Sequence, residues 1–304
     1  MINSLSILLP TYNCRCTKLV GLLQRQCMSI TEKHDNFKFE IIVADDASTD
    51  TALVEENKAI CQLEHVRYII MPKNVGRAKI RNILASEATC EWVLFMDGDL
   101  NLDNPQFIEK YLLTDKELMV GGITIGGDEK QWGNNLRWRY EKHCEQQHSA
   151  LMRQRNGETA LRTTNFCIMR KLILSHPFDE NFTHYGYEDV LLGKALAADG
   201  VTFTHIDNTV LLDDYESNDE YICKTEEAMR TLAEFRDILR GHSTLLATVE
   251  KIHNSKLSTL SCMLLEMVWK TSNNTIKHQL KSNKPSVLLF NIYRLLYLSH
   301  LINQ

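Results

Sequence analysis

Residues 92–99 read WVLFMDGD. Five apolar side chains run without a break and meet two carboxylates around a glycine. A strand with one wet face alternates apolar and polar residues, so this unbroken run fits a strand buried on both faces. Asp-Gly-Asp then marks the turn where the strand leaves its sheet. The same pattern recurs upstream. Leu5–Leu9 ends at Pro10, Glu40–Ala44 ends in DDASTD, and Val66–Met71 forms a third run. Between them Lys18 to Ile30, Thr51 to Gln62 and Ala78 to Ala88 carry helical spacing. This order predicts an α/β fold, a mostly parallel sheet flanked by helices on both faces. Ligands of such sheets bind beyond the carboxyl ends of the strands. PTYN, DDASTD and DGD all fall there.

The 304 residues suit one large or two modest domains. The net charge of −5 comes from 34 basic and 39 acidic residues, a balance that speaks against a nucleic-acid partner. It also hides an asymmetry: residues 251–304 hold seven Lys or Arg against a single acid, Glu266. The nine cysteines are scattered, odd in number and without C-x-x-C, which predicts reduced thiols in a cytoplasmic protein. The opening MINSLSILLPTYN has no basic leader and reads as a first strand, not a signal peptide. No apolar run approaches the ~20 residues of a membrane-spanning helix.

A dinucleotide fold needs G-x-G-x-x-G after its first strand, where this chain has PTYNCRC. Its glycine-rich stretch, Gly121 to Gly127, lies past the fourth strand, and no P-loop motif occurs. Asp97 and Asp99 offer hard oxygen ligands of the kind that Mg²⁺ or Mn²⁺ takes while bridging to substrate phosphates. Each acidic motif alone also reads as turn chemistry or as a helix N-terminal pair. Together, on consecutive strand ends, they point to a site. Glu188-Asp189 opens an apolar-periodic helix, Val190 to Ala198. These are helix N-terminal acids or, functionally, a general base for a hydroxyl.

LSILLPTYN, EIIVADDASTD, KNVGRAKIRN, EWVLFMDGD, TTNFCIMRK and PFDENFTHYGYEDVLLGKAL, in this order, resemble the family 2 glycosyltransferases of the GT-A fold, over roughly residues 3 to 230. Among them the bacterial enzymes of surface-polysaccharide synthesis are most similar. The resemblance implies a nucleotide-sugar donor, usually a uridine diphosphate sugar, and Mn²⁺ or Mg²⁺. It places Pro10, Thr11 and Tyr12 at the nucleoside, Asp46 on the uracil ring, and Arg77, Lys79 and Arg81 near the base or pyrophosphate. Asp97 would approach ribose or metal, and Asp99 would bind the metal. Thr164, Asn165 and Tyr187 would meet the acceptor or sugar. Asp189 would be the catalytic base of an inverting transfer, with Glu188 orienting it or the acceptor. The acceptor would be a saccharide or lipid-linked saccharide.

Family members often carry a metal-ligating His where this chain has Leu212. Asp213 is the substitute expected, with Asp214 and His205 as other candidates. Trp132 to Arg155 mixes aromatic and basic residues, suited to a sugar platform, a helix beside the acceptor groove, or stacked nucleobases. The division expected is a catalytic domain, 1–215, and a C-terminal helical appendage, 216–304. In the appendage Leu257, Leu260, Leu264, Met267 and Val268 predict core packing between helices. Val287 to Ile302 suits a membrane surface, a dimer interface or docking on the catalytic domain. The basic segment 251–304 is the candidate for peripheral contact with the inner face of the cell membrane. The rival functions are a nucleotidyltransferase and a non-catalytic GT-A-like binding protein.

Overall fold

The computed structural model describes residues 1–254 and 258–304. Leu257 therefore lies outside the described residues. The chain forms two compact units: Met1–Gly126 with Gln146–Thr183 and Glu188–Asp214, and Gly127–Glu145 with His184–Tyr187 and Tyr215–Gln304. The second unit starts near the expected boundary at 215 but also takes in residues 127–145 and 184–187. Its own contacts explain this. The Trp132 ring meets Tyr215 edge-on at 5.0 Å, Arg137 pairs with Glu216, and Asn135 donates to the Glu216 carbonyl at 2.7 Å.

The first unit is built on nine strands: β1 (Ser4–Thr11), β2 (Lys38–Asp45), β3 (Val66–Ile70), β4 (Trp92–Met96), β5 (Leu118–Val120), β6 (Ile123–Ile125), β7 (Asn165–Met169), β8 (Phe203–His205) and β9 (Val210–Leu212). Seven form one sheet in the order β3-β2-β1-β4-β7-β5-β8, and β6 pairs with β9. β7 alone among the seven runs antiparallel to its neighbours. The apolar runs are buried because helices such as Thr17–Thr31 and Arg77–Glu87 cover the sheet. Leu8, Ile42, Phe95, Phe166 and Phe178 share one core, in which the rings of Phe95 and Phe166 stack at 5.0 Å. Residue 10 does not end the first strand as expected. Pairing with β4 stops at Leu8↔Phe95, while pairing with β2 continues to Thr11↔Asp45. Pro10 thus sits where the strand has a neighbour on one side, a position that tolerates a missing N–H.

The second unit is helical. Ser217 caps the Asn218–Glu234 helix through a reciprocal bond with Glu220. Its core joins Leu136, Ile222, Ile276, Leu280, Phe290, Tyr293 and Leu296. The Val287–Ile302 helix therefore docks within its own unit. One expectation fails here: on the Ser258–Leu280 helix, Leu260, Leu264 and Met267 are 66%, 53% and 56% exposed, together with Met263 at 67%. Val268 does pack on the core. No helix among the described residues is long and apolar enough to cross a membrane. All nine cysteines are free thiols; Cys61, in the first unit, and Cys223, in the second, are exposed.

Candidate active site

The carboxyl ends of β1 and β2 are sewn together. Asp46 N donates to the Thr11 carbonyl at 2.9 Å. Asn13, in the left-handed region at φ 48, accepts on Oδ1 from Thr49 N and Asp50 N at 2.8 and 3.1 Å, and its own N–H meets Ser48 Oγ at 2.7 Å. Pro10 is half-buried and Thr11 buried, which leaves Tyr12, 49% exposed, as the aromatic face at this strand end. Asp45 accepts from Ser48 N at 2.7 Å and Tyr68 Oη at 2.5 Å. Asp46 accepts from Val75 N at 2.7 Å and Gly76 N at 3.0 Å, and so fixes the turn into the Arg77–Glu87 helix. Gly76 has φ 87, a conformation that glycine adopts freely.

The glycine of Asp-Gly-Asp is required by packing. A Cβ on Gly98 would lie 2.5 Å from Thr11 Cγ2 and 3.2 Å from the Pro10 carbonyl oxygen. Asp97 Oδ1 meets Arg81 Nη2 at 2.8 Å, and the other arm of that guanidinium meets Glu188 Oε1 at 3.2 Å. Arg81 and Glu188 side chains are 1% and 7% exposed, and Asp97 24%. Asp99 is exposed. The local field is negative: burial and the charges of Asp99, Asp97 and Asp45 push the Cys14 thiol up to about 12.

Asp189 follows Glu188 at the start of the Glu188–Ala198 helix. Burial, with the neighbouring Glu188 charge adding to it, pushes its carboxyl up to about 6, against the opposing pull of Arg162. Arg162 Nη1 lies 3.9 Å away and is 57% exposed, so it screens the carboxylate without neutralising it. A carboxylate titrating near 6 is a stronger base than an ordinary one and is still ionised at neutral pH.

Other expected residues fall elsewhere. Arg77 is exposed at the helix start, whereas Lys79 pairs with Glu180 at 3.0 Å, an engagement separate from this cluster. Arg81, expected near the base or pyrophosphate, is engaged by two acids, Asp97 and Glu188. Thr164 is drawn in, its carbonyl accepting from Asp97 N at 3.4 Å. Asn165 is 1% exposed; its Nδ2 donates to the Gly122 and Asn208 carbonyls and its Oδ1 accepts from Tyr111 Oη at 2.6 Å. It clamps strand connections and has no face for an acceptor. Tyr187 belongs to the second unit and holds φ 71.

Leu212 is buried in β9 against Ile125. Asp213 accepts from Asn101 Nδ2 on both oxygens, at 2.7 and 2.9 Å, which places it beside the segment that follows Asp99. His205 is excluded as a ligand. It is buried, Nε2 donates to the Gly157 carbonyl at 2.9 Å, and burial with Arg153 pushes the ring down to about 4. Among the described residues no three His, Cys, Asp or Glu converge as a ready-made metal cage. Asp97, Asp99 and Asp213 are hard oxygen donors of the kind Mg²⁺ or Mn²⁺ takes, but Asp97 is paired with Arg81 and Asp213 with Asn101, and the three are not gathered into one cage. Trp132 and Tyr140 are not a stacking platform: the first packs on Tyr215, and the second lies edge-on to Phe290 at 5.2 Å with Arg294 donating to its hydroxyl.

The residues that sequence reasoning missed are mostly amides. Asn13 joins the first two loops, and Asn82 exchanges two 2.9 Å bonds with the Phe178 backbone. Tyr68 and Asn101 support Asp45 and Asp213. Asparagine inside a loop motif or beside a motif arginine is the available signal, and a weak one.

A family model described as glycosyl transferase family 2 matches residues 6–177. An uncharacterized glycosyltransferase of Haemophilus influenzae is 32% identical over 108 residues, 36% of this chain and 40% of that protein. The poly(ribitol-phosphate) beta-N-acetylglucosaminyltransferase TarS of Staphylococcus aureus is 34% identical over 124 residues, 38% of this chain and 18% of that protein. The match thus spans less than half the length of these curated relatives. Among solved structures, S. aureus TarS 1-349 in complex with UDP-GlcNAc aligns with a TM-score of 0.52 at 16% identity, over 99% of this chain and 92% of that one. The mannosyltransferase PcManGT of Pyrobaculum calidifontis, in complex with GDP-Man and Mn²⁺, aligns with a TM-score of 0.52 at 16% identity, over 96% and 85%. At that identity the likeness speaks for the fold.

Proposed function

This chain belongs to glycosyl transferase family 2, and we propose that it is a glycosyltransferase that moves a sugar from a uridine diphosphate donor to a saccharide or lipid-linked acceptor by single displacement with inversion. One observation carries the reading: the strand-end acid Asp97 and the helix-start pair Glu188-Asp189 meet through Arg81, so a donor-side carboxylate and a candidate base share one cluster. Tyr12 offers its exposed ring to the nucleoside. Asp189 takes the acceptor proton as the acceptor oxygen bonds to the anomeric carbon. The bond from that carbon to the diphosphate breaks, and its electron pair leaves with the nucleotide. Asp97, Asp99 and Asp213 would hold Mn²⁺ or Mg²⁺, whose chemistry is to neutralise the departing diphosphate. Thr164 lies on the same edge of the site.

The setting we propose is cytoplasmic, in surface-polysaccharide synthesis, with peripheral contact at the inner membrane face through 251–304. The exposed stripe of Leu260, Met263, Leu264 and Met267 and the basic excess of that segment support it. The test is a donor screen reading released nucleotide, with and without Mn²⁺. Wild-type protein is expected to release uridine diphosphate, and Asp189→Asn to lose transfer by about 10³-fold while nucleotide affinity stays within threefold. Pyrophosphate as product would indicate nucleotidyl transfer. Uridine diphosphate failing to bind at all in a calorimetric titration would indicate a binding protein.

A further inference from the structure

Arg81 is 1% exposed, and its guanidinium serves two acids from distant parts of the chain. Asp97 is 16 residues away in sequence and Glu188 is 107 away. The two terminal nitrogens part company, Nη2 to Asp97 at 2.8 Å and Nη1 to Glu188 at 3.2 Å. Nη1 also reaches the Arg77 carbonyl one helical turn back, at 3.3 Å, and the Phe178 ring lies 5.8 Å from Cζ. Nε is buried without a hydrogen-bond partner among the described residues. The fork is thus held from several sides and cannot turn towards a ligand without leaving a buried carboxylate bare.

We infer that Arg81 is a positioning residue that couples the donor side of the site to the acceptor side, fixing the helix that carries Asp189 relative to the strand end that carries Asp97. The inference rests on the reading of Asp189 as the base. Three features support it. The guanidinium rides on the Arg77–Glu87 helix, whose start is pinned by Asp46 through the Val75 and Gly76 amides. Its two ion pairs run to two different elements, the end of β4 and the start of the Glu188–Ala198 helix, whose apolar side chains share one core below the site. Its charge is already met by two carboxylates, which leaves little to attract a diphosphate.

The test compares wild type, Arg81→Met, Arg81→Lys, Glu188→Gln and the Arg81→Met/Glu188→Gln double variant as full-length proteins. Three readouts are taken: melting temperature, affinity for uridine diphosphate with Mn²⁺, and kcat and KM for nucleotide release from UDP-N-acetylglucosamine. Arg81→Met is expected to keep nucleotide affinity and donor KM within about threefold and to lose about 100-fold in kcat, the scale of a misplaced catalytic group. Lysine serves one carboxylate as a point charge but not two as a fork, so Arg81→Lys is expected to recover part of kcat. The double variant is expected to melt above Arg81→Met, because neutralising Glu188 removes the stranded charge.

Loss of nucleotide affinity by more than about tenfold in Arg81→Met, with kcat preserved, would make Arg81 a direct phosphate ligand and overturn the inference. Wild-type kcat in a destabilised Arg81→Met would reduce it to a structural role, with the same result. Should wild type neither bind uridine diphosphate nor release it, the functional reading fails instead. The melting cycle tells this failure from that of the coupling itself: additive losses at 81 and 188 would show that Arg81 does not tie the two elements together and would overturn the inference on its own.

Discussion

At the scale of single residues, Asp189 combines the two demands on a base in a buried site. Its carboxyl, pushed up to about 6 by burial and by Glu188, keeps a proton through part of the acid range. The catalytic sign is direct: the ionised form is the base, so turnover is expected to rise with pH through a limb near 6 and level off above 7. A pH profile of kcat checks this, and a limb near 4 would remove Asp189 from the role. The stability sign is opposite. A carboxyl raised in the native state binds a proton more tightly there than in the unfolded chain, so stability falls as pH rises from about 4 to about 6. Ionisation of Asp189 at neutral pH thus works against the folded state. Asp189→Asn is therefore expected to melt no lower than wild type at pH 7, and higher if the amide finds partners. A sharp drop in melting temperature would contradict that account.

At the scale of elements, the site depends on how closely neighbouring strand ends approach. Gly98 lets the turn after β4 rest on Thr11 at the end of β1. Gly98→Ala is expected to cost about 1–3 kcal/mol, because both the contact and the backbone behind it are packed. Since the turn carries Asp97 and Asp99, nucleotide affinity is expected to fall with stability. Thermal melting with a nucleotide titration checks both, and an unchanged affinity would separate the turn from the donor site.

The first four strands and the helices between them were legible in the sequence to within a residue or two, whereas β5 to β9, each three to five residues long, were not. Unbroken apolar runs register burial on both faces, and Thr51–Lys58 with its short 3₁₀ extension, Ala59–Gln62, covers the helix expected over 51 to 62. The acids at strand ends were legible for the same reason. What the pattern could not carry was the destination of each polar side chain. Lys79, Arg81 and Asn165 have the chemistry of donor or acceptor ligands, yet their partners are other protein groups. A partner 107 residues away, as Glu188 is for Arg81, leaves no local trace. The apolar stripe failed for a related reason: helical periodicity shows that Leu260, Leu264 and Met267 share a face, not that anything covers it.

At the scale of the whole molecule, charge and apolarity are unevenly distributed. The C-terminal segment concentrates basic residues, and the Ser258–Leu280 helix leaves four large apolar side chains in water. Basic groups near an anionic surface contribute about 1 kcal/mol each, and each inserted apolar side chain about 1.5–3 kcal/mol. Co-sedimentation with phosphatidylserine vesicles is expected to be strong at low salt. The paired substitutions Leu264→Glu and Met267→Glu are expected to weaken it by more than about tenfold. No binding of wild type to either neutral or anionic vesicles would remove the membrane contact, and equal binding to both would remove the part assigned to the basic residues.

The distribution of the thiols has a practical consequence. Cys14, Cys16, Cys27 and Cys167 are shielded, and burial holds all four far from the thiolate form. Cys61 and Cys223 are exposed, one in each unit. With the half-buried Cys90, Cys144 and Cys262 replaced by serine, maleimide dyes would couple at Cys61 and Cys223 without any engineered attachment point. Each dye would then report on its own unit, one on the sheet and one on the helices, as donor and acceptor are added.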